Sequence, residues 1–534
     1  MADTANYGAV PPSEEATKSR GHGIEMPDDS RPTCRNPIMA LLFIAHLVVI
    51  ALTGAKYGTF SLPEELESAA DYAAKAADSV VDYEEDVLNG QEEGEFWRGV
   101  ALRLALPCAA FSFIVAYVVA AFVLPKCAQA AVRLCLFLSF FVTVGLAVAF
   151  SIQYPIWWVY TISGILSVLA AVYTCKVWKL VPFAVANLKV AIKGMTENGG
   201  TYIIALIFAI LAFIWAIGWF YVANGVYALR EVYGKSSLCD DPEAAAAAGV
   251  SINGLDCEQT SDEVAKFGGI MFGLLVSLYW TIAVILNCVR VMVAGTMATW
   301  CIDKEDASSC CSPAVLSSFV RSMVFSFGSV CFGSLVEGVA AAINAAMQYA
   351  KSAADADGDT TDCNSRLFGC LVCLTKCFED MIEYFNQWAY VYIGIYGYGY
   401  IKSGREVMKL FRERGWTSIV SDFLVSYVLN FTSILVGALT GGLGILLDIN
   451  DTVGSAGYWD SFVVGFLIGL LVTHVMMNVI KGAVNTAIVI FADKPDEMAK
   501  NHPVMTKEMA EAWLDAYPDC GVPNLSDPIY AVVV

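Results

Sequence analysis

Residues 202–226 read YIIALIFAILAFIWAIGWFYVANGV, twenty-five positions without one charged side chain. As an α-helix they rise about 37 Å, more than the roughly 30 Å of a bilayer hydrocarbon core. Such a segment belongs where lipid replaces water, and there the backbone has to satisfy itself, so it forms a helix. Outward from it the pattern repeats. Apolar stretches of comparable character lie at 38–55, 100–124, 130–150, 155–175, 268–297, 322–347, 380–400, 418–447 and 461–480. The expected fold class is all-α, a polytopic membrane protein of about ten transmembrane helices.

Composition agrees with that reading. Of 534 residues 57% are hydrophobic and 16% charged, against about a quarter charged in soluble domains. A net charge of −20 argues against nucleic acid, whose phosphates require a basic partner. Seventeen cysteines are too dilute for a disulfide scaffold, and most fall inside apolar runs as small packed hydrophobes. Residues 1–37 are polar, contain Pro and lack a cleavable apolar core, so they read as a disordered cytosolic tail without a signal peptide. The transmembrane domain is expected over 38–491, with extracellular loops at 56–99, 229–266, 348–376 and 449–461, and a cytosolic C-terminal tail over 492–534.

Orientation follows from Lys and Arg, which resist translocation. With both termini cytosolic, about two thirds of the 32 basic residues fall inside, the favoured arrangement. Half of the 52 acidic residues then lie outside, where they make a face attractive to cations. The same topology puts Cys239 and Cys257 together in an oxidising loop, where a disulfide persists, and exposes the sequon at Asn450 for glycosylation. The stretch 62–95 reads as a short amphipathic helix. Segment 176–200 mixes four Lys with apolar residues at helical spacing and fits a helix on the cytosolic membrane surface; 401–415 is similarly basic.

Enzyme chemistry is thin. With only four histidines no His-rich metal cluster can be assembled, no metal site or cofactor is expected, and neither a nucleophile elbow nor a phosphate loop is present. Cys370-Leu-Val-Cys373 has redox spacing in an apolar helical context, where a structural or acylated Cys is the simpler reading. No catalytic residues are assigned.

What remains is polarity where it is costly. Glu337 falls mid-span, and a carboxylate in hydrocarbon marks a functional position by default. Ser326, Gly333, Ser334, Glu337 and Asn344 share one helical side, expected to face the bundle interior. Arg290 could neutralise Glu337 if their helices adjoin. His474 and Asn478 lie one turn apart, and His46 reads as a packed residue. Trp215 and Trp219, also one turn apart, together with Tyr279 and Trp280, offer ring faces for an ammonium that donates no hydrogen bond. The alternative reading of these groups is a structural polar network. Gly437 with Gly441, and Gly465 with Gly469, have the G-x-x-x-G spacing of close helix packing.

Four stretches together resemble the choline transporter-like family of ten-span proteins: LLVSLYWTIAVILNCVRVMVAGTMATW (274–300), FSFGSVCFGSLV (325–336), CLVCLTKCFEDMIEYFNQWAYVYIGIYG (370–397) and IVIFADKPDEMAKNHP (488–503). The resemblance covers about residues 100–505 of the numbered sequence. It implies a secondary transporter or facilitator moving choline, or ethanolamine as a related cation, across the plasma membrane or an organelle membrane, with proton exchange proposed for the family. The substrate-binding set expected here is Trp215, Trp219, Tyr279, Trp280, Glu337 and Asn344; Glu337 and His474 are the proton-coupling candidates. Partners are the small cation and membrane lipids. Another solute, or a non-transporting scaffold, is the competing reading.

Overall fold

The computed structural model describes residues 34–59, 104–153, 155–228, 261–356, 363–414, 418–449 and 458–516. Cys239, Cys257, Asn450 and the 62–95 segment lie outside them. Among the described residues every regular element is helical. The helices are α1 (Pro37–Tyr57), α2 (Leu106–Gln153), α3 (Trp157–Val177), α4 (Val181–Glu197), α5 (Gly200–Ala228), α6 (Ser261–Ile302), α7 (Pro313–Val320), α8 (Phe327–Ala356), α9 (Cys363–Tyr396), α10 (Tyr400–Arg414), α11 (Ser418–Ile449), α12 (Tyr458–Asp493), α13 (Pro495–Asn501) and α14 (Pro503–Ala516).

Eight helices among the described residues are long and apolar enough to cross a membrane. Two features separate eight from the ten expected. The stretches 100–124 and 130–150 join in one continuous helix, α2, of 48 residues, rising about 72 Å. Pro125 falls between them without ending the helix, and a wide π turn at Val119–Val123, closed by Leu124 N–H bonding to Val119 O, lies just before it. The other is α9, which carries Lys376, Glu379, Asp380 and Glu383 and is too polar to qualify. It begins well before the expected 380, within the segment read as an outer loop. Its second half, Trp388 to Ile393, is nearly all buried, so neighbouring protein shields it from lipid.

α6 is the central post, packed along α5, α8, α9 and α12. α11 and α12 form the tightest pair. A Cβ on Gly465 would lie 2.8 Å from Thr440 O, and one on Gly444 2.3 Å from Ser461 O, so the backbones touch because both helices lack side chains there.

The segment read as a membrane-surface helix is corrected. α4 buries Phe183, Leu188, Ile192 and Met195 among others, packed between α2, α11, α12 and α14. Its lysines project to one side, where Lys193 pairs with Glu197 at 2.9 Å and Lys189 approaches Glu508 at 3.9 Å. The region read as a C-terminal tail is folded as far as Ala516. Trp513 packs edge-on against Phe183 at 4.9 Å and beside Phe491 at 5.5 Å. His502 stacks on Trp300 at 3.8 Å and shares a 2.8 Å hydrogen bond with the Trp300 carbonyl.

Candidate functional site

The polar residues of the central helices meet at one level. Arg290 and Asn287 lie roughly 18 and 22 Å from the end of α6, Glu383 roughly 20 Å from the end of α9, and Lys481 roughly 18 Å from the end of α12. The ends of α9 and α12 are themselves tied by a hydrogen bond from the Tyr396 hydroxyl to the Asp493 carboxylate.

Asn287 is the hub. Its amide nitrogen donates to Glu337 Oε2 and to Ser334 Oγ, both at 3.0 Å, and its oxygen accepts from Arg290 at 2.9 Å. Arg290 also reaches Glu383 Oε1 at 3.5 Å. The helices carrying Arg290 and Glu337 thus adjoin, but Arg290 pairs directly with Glu383, and Asn287 links it to Glu337. Ser334 shares a 3.3 Å hydrogen bond with Tyr390. Asn386 donates to Gly333 O at 3.1 Å and accepts from the Tyr400 hydroxyl. His474 lies within electrostatic reach of Arg290, Glu383 and Lys481. Its side chain is exposed on the surface of α12. The Arg290 and Glu383 side chains are themselves partly exposed, 30% and 51%.

The aromatic candidates form a neighbouring layer. Trp280 packs on His46 at 4.8 Å and Phe43 at 5.2 Å, and Trp215 meets His46 at 6.4 Å. Trp280 donates to Cys331 O at 3.0 Å and Trp219 to Leu274 O at 2.7 Å; His46 shares a 2.7 Å hydrogen bond with Ser277. The buried Trp215 indole N–H has no acceptor among the described residues. Gly338, next to Glu337, lies directly against the Trp280 backbone, which is where α8 brings the two layers closest. Tyr279 is half-buried beside it. Asn344 stands apart, two turns along α8, donating to Glu379 at 2.6 Å and accepting from Thr375 at 3.2 Å. A groove of about 390 Å³ between α2 and α3, lined by Leu146, Phe150, Trp158 and Ile162 among others, is separate from all of these.

Three chain breaks meet at one junction away from this network. Arg35 N–H donates to Phe325 O at 2.8 Å and its Nε to Gly397 O at 3.2 Å. These contacts join the start of α1, the break between α7 and α8, and the end of α9. Gly328 lies so close to this junction that a Cβ would meet Asn36 O at 2.1 Å. Asn386, Tyr390 and Tyr400 were not chosen as site residues from the sequence, although the first two belong to the quoted 370–397 motif.

Those motifs decide the relationship. Residues 161–496 match the family described as plasma-membrane choline transporter. The chain belongs to that family. Among relatives, Protein PNS1 of Mycosarcoma maydis is 28% identical over 370 residues, 67% of this chain and 63% of that protein. Protein PNS1 of Debaryomyces hansenii is 27% identical over 345 residues, 62% and 63% respectively. That of Kluyveromyces lactis is 25% identical over 442 residues, 80% and 75%. The chain spans just under two thirds of the length of the first two. The family match runs from α3 into α13 and includes every residue of the Asn287 network. It identifies an integral membrane protein of a transporter family rather than an enzyme family.

Proposed function

We propose that this protein is a secondary transporter or facilitator for choline or a closely related small organic cation, with Glu337 as the counter-charge. The observation that carries the reading is the setting of Glu337. Its carboxylate lies deep among helices, held by the Asn287 amide, and has no Lys, Arg or His partner within ion-pair distance among the described residues. When ionised, a carboxylate so placed has a negative charge that no cationic side chain pairs directly. The rings of Trp215 and Trp280, in the neighbouring aromatic layer, offer faces for an alkylated ammonium, each worth about 0.5–2 kcal/mol.

The membrane potential is sufficient to drive uptake. An inside-negative potential of 100 mV favours a monovalent cation by about 2.3 kcal/mol, so no coupled ion is required. Where protons are exchanged, Glu337 and His474 are the groups to carry them. Ethanolamine, a primary ammonium, fits the same carboxylate but uses the ring faces less. The plasma membrane is the location in keeping with the family's description.

Radiolabelled choline uptake by cells expressing the full chain tests this. Glu337→Gln, Trp215→Ala and Trp219→Ala are each expected to reduce uptake at least fivefold at unchanged surface expression. Wild-type uptake in all three removes the proposed site, and absence of choline uptake by the wild-type chain removes the substrate.

A further inference from the structure

The connection between α6 and α7 ends in Ser308-Ser309-Cys310-Cys311-Ser312, and its backbone is fixed on several sides. Gly200 N–H donates to Cys310 O at 2.8 Å. Ser312 caps α7 by accepting from Val315 N–H at 3.3 Å, and it donates to Asn198 Oδ1 at 2.7 Å. The Asn198 amide in turn donates to Ala307 O at 2.8 Å. From this rigid frame the thiols of Cys310 and Cys311 project free and exposed, whereas Cys288 and Cys301 in the adjoining α6 are buried. Packing accounts for the buried thiols and leaves the exposed pair unexplained.

A second observation gives the pair a context. Along α7 and the turn after it, Leu316, Val320 and Val324 follow at four-residue steps and are 66%, 41% and 51% exposed. In a membrane protein a ridge of uncovered aliphatic side chains faces lipid. On the other side of the cysteines, Asp303, Lys304, Glu305 and Asp306 are all exposed and require water. Cys310 and Cys311 therefore stand at the boundary, with hydrated charge behind them and a lipid-facing ridge ahead.

We propose that Cys310 and Cys311 are sites of S-acylation by long-chain fatty acyl groups. The donor is an acyl-coenzyme A, used by a membrane S-acyltransferase. The cysteine sulfur attacks the acyl carbonyl, the carbon–sulfur bond to coenzyme A breaks as the new thioester forms, and the cysteine proton ends on the coenzyme A thiol. No oxidant or reductant enters. The attached chains run along Leu316, Val320 and Val324 into the bilayer. Because the same connection holds Asn198 and the start of α5, acylation secures two helices of the bundle to the membrane. Juxtamembrane cysteines are the usual substrates of this reversible modification.

The test is acyl exchange on the full chain expressed in yeast. Free thiols are blocked with N-ethylmaleimide, thioesters are cleaved with neutral hydroxylamine, and released thiols are coupled to maleimide-polyethylene glycol. Each thioester then adds one mass step on a gel. Cys310→Ser and Cys311→Ser are each expected to lose one hydroxylamine-dependent step, and the double variant two, while eluting as a monodisperse peak, since both thiols are exposed. A wild-type chain without hydroxylamine-dependent steps overturns the proposal. So does a double variant with the wild-type number, or a modification released by dithiothreitol under oxidising extraction but indifferent to hydroxylamine, which is a disulfide.

Discussion

Asn287 and Glu337 are joined across the α6–α8 contact by a single 3.0 Å amide hydrogen bond, and Asn287 is fully buried. The amide is fixed from its other end by Arg290, so its N–H can turn only toward Glu337 and Ser334. Replacement by Leu fills the space but leaves the carboxylate without its donor, a loss of about 1–3 kcal/mol. Asn287→Leu is expected to lower thermal stability in detergent and to reduce choline uptake tenfold or more. Asn287→Gln keeps the amide one methylene out of place and should recover part of the stability and little of the uptake. Equal recovery of both would show that Asn287 serves packing alone.

Arg290 and Glu383 make the complementary case. Their 3.5 Å pair is long and its side chains are 30% and 51% exposed, the kind of open pair whose contribution to stability is about 0–1 kcal/mol. Its effect on a cation is another matter, because Arg290 lies one amide away from Glu337. Arg290→Gln removes a positive charge from beside the proposed counter-charge and should lower the KM for choline severalfold. Glu383→Gln leaves Arg290 unopposed and should raise it. Shifts of the same sign in the two variants would exclude an electrostatic role for the pair.

Much of this was legible in the sequence, for reasons that differ residue by residue. The charge-free run 202–226 has one stable outcome in lipid, and Glu337 stands out because a carboxylate in an apolar run is costly. The shared level of Arg290 and Glu337 was hidden, since depth depends on where each helix begins and α8 starts only after the break at Ser326. Asn386 and Tyr400 were missed because α9 reads as the weakest span. Its polarity reflects shielding by other helices, which no local window reports. α4 misled for a related reason. Its lysines resemble the polar face of a surface helix, while the side that would lie on lipid is covered by α14, more than 300 residues further along. The continuity of α2 through Pro125 was equally hidden, because the π turn just before it has no sequence signature.

The α11–α12 pair gives a prediction independent of function. A Cβ on Gly444 would stand 2.3 Å from the Ser461 carbonyl oxygen, a backbone atom that cannot rotate aside. Gly444→Ala already forces the helices apart, and Gly444→Val forces them further, with overpacking of this kind costing about 1–3 kcal/mol. The thermal midpoint of the purified chain should fall in the order wild type, Ala, Val. Gly442, where a Cβ meets open space, serves as the control, and Gly442→Ala should leave the midpoint unchanged. A drop for Gly442→Ala equal to that for Gly444→Ala would mean that close helix approach is not the cause.

His502 links the folded C-terminal helices to pH. Burial of its ring against Trp300 lowers its pKa from the ordinary 6.5; the hydrogen bond to the Trp300 carbonyl and the charge of Glu197 oppose this, while Lys304 and Lys193 reinforce it. The folded state therefore holds His502 neutral where the unfolded segment would take a proton. Stability of the docked α13–α14 segment is complete above pH 6.5 and declines as pH falls below it, until the lowered native value is reached. Hydrogen exchange in residues 495–516 should accelerate between pH 7.5 and 5.5 beyond the intrinsic pH dependence of exchange. His502→Phe preserves the stack on Trp300 and has nothing to protonate, so its corrected exchange should be flat over the same interval. A variant that keeps the wild-type slope over this interval would show that the imidazole of His502 is not the group responsible.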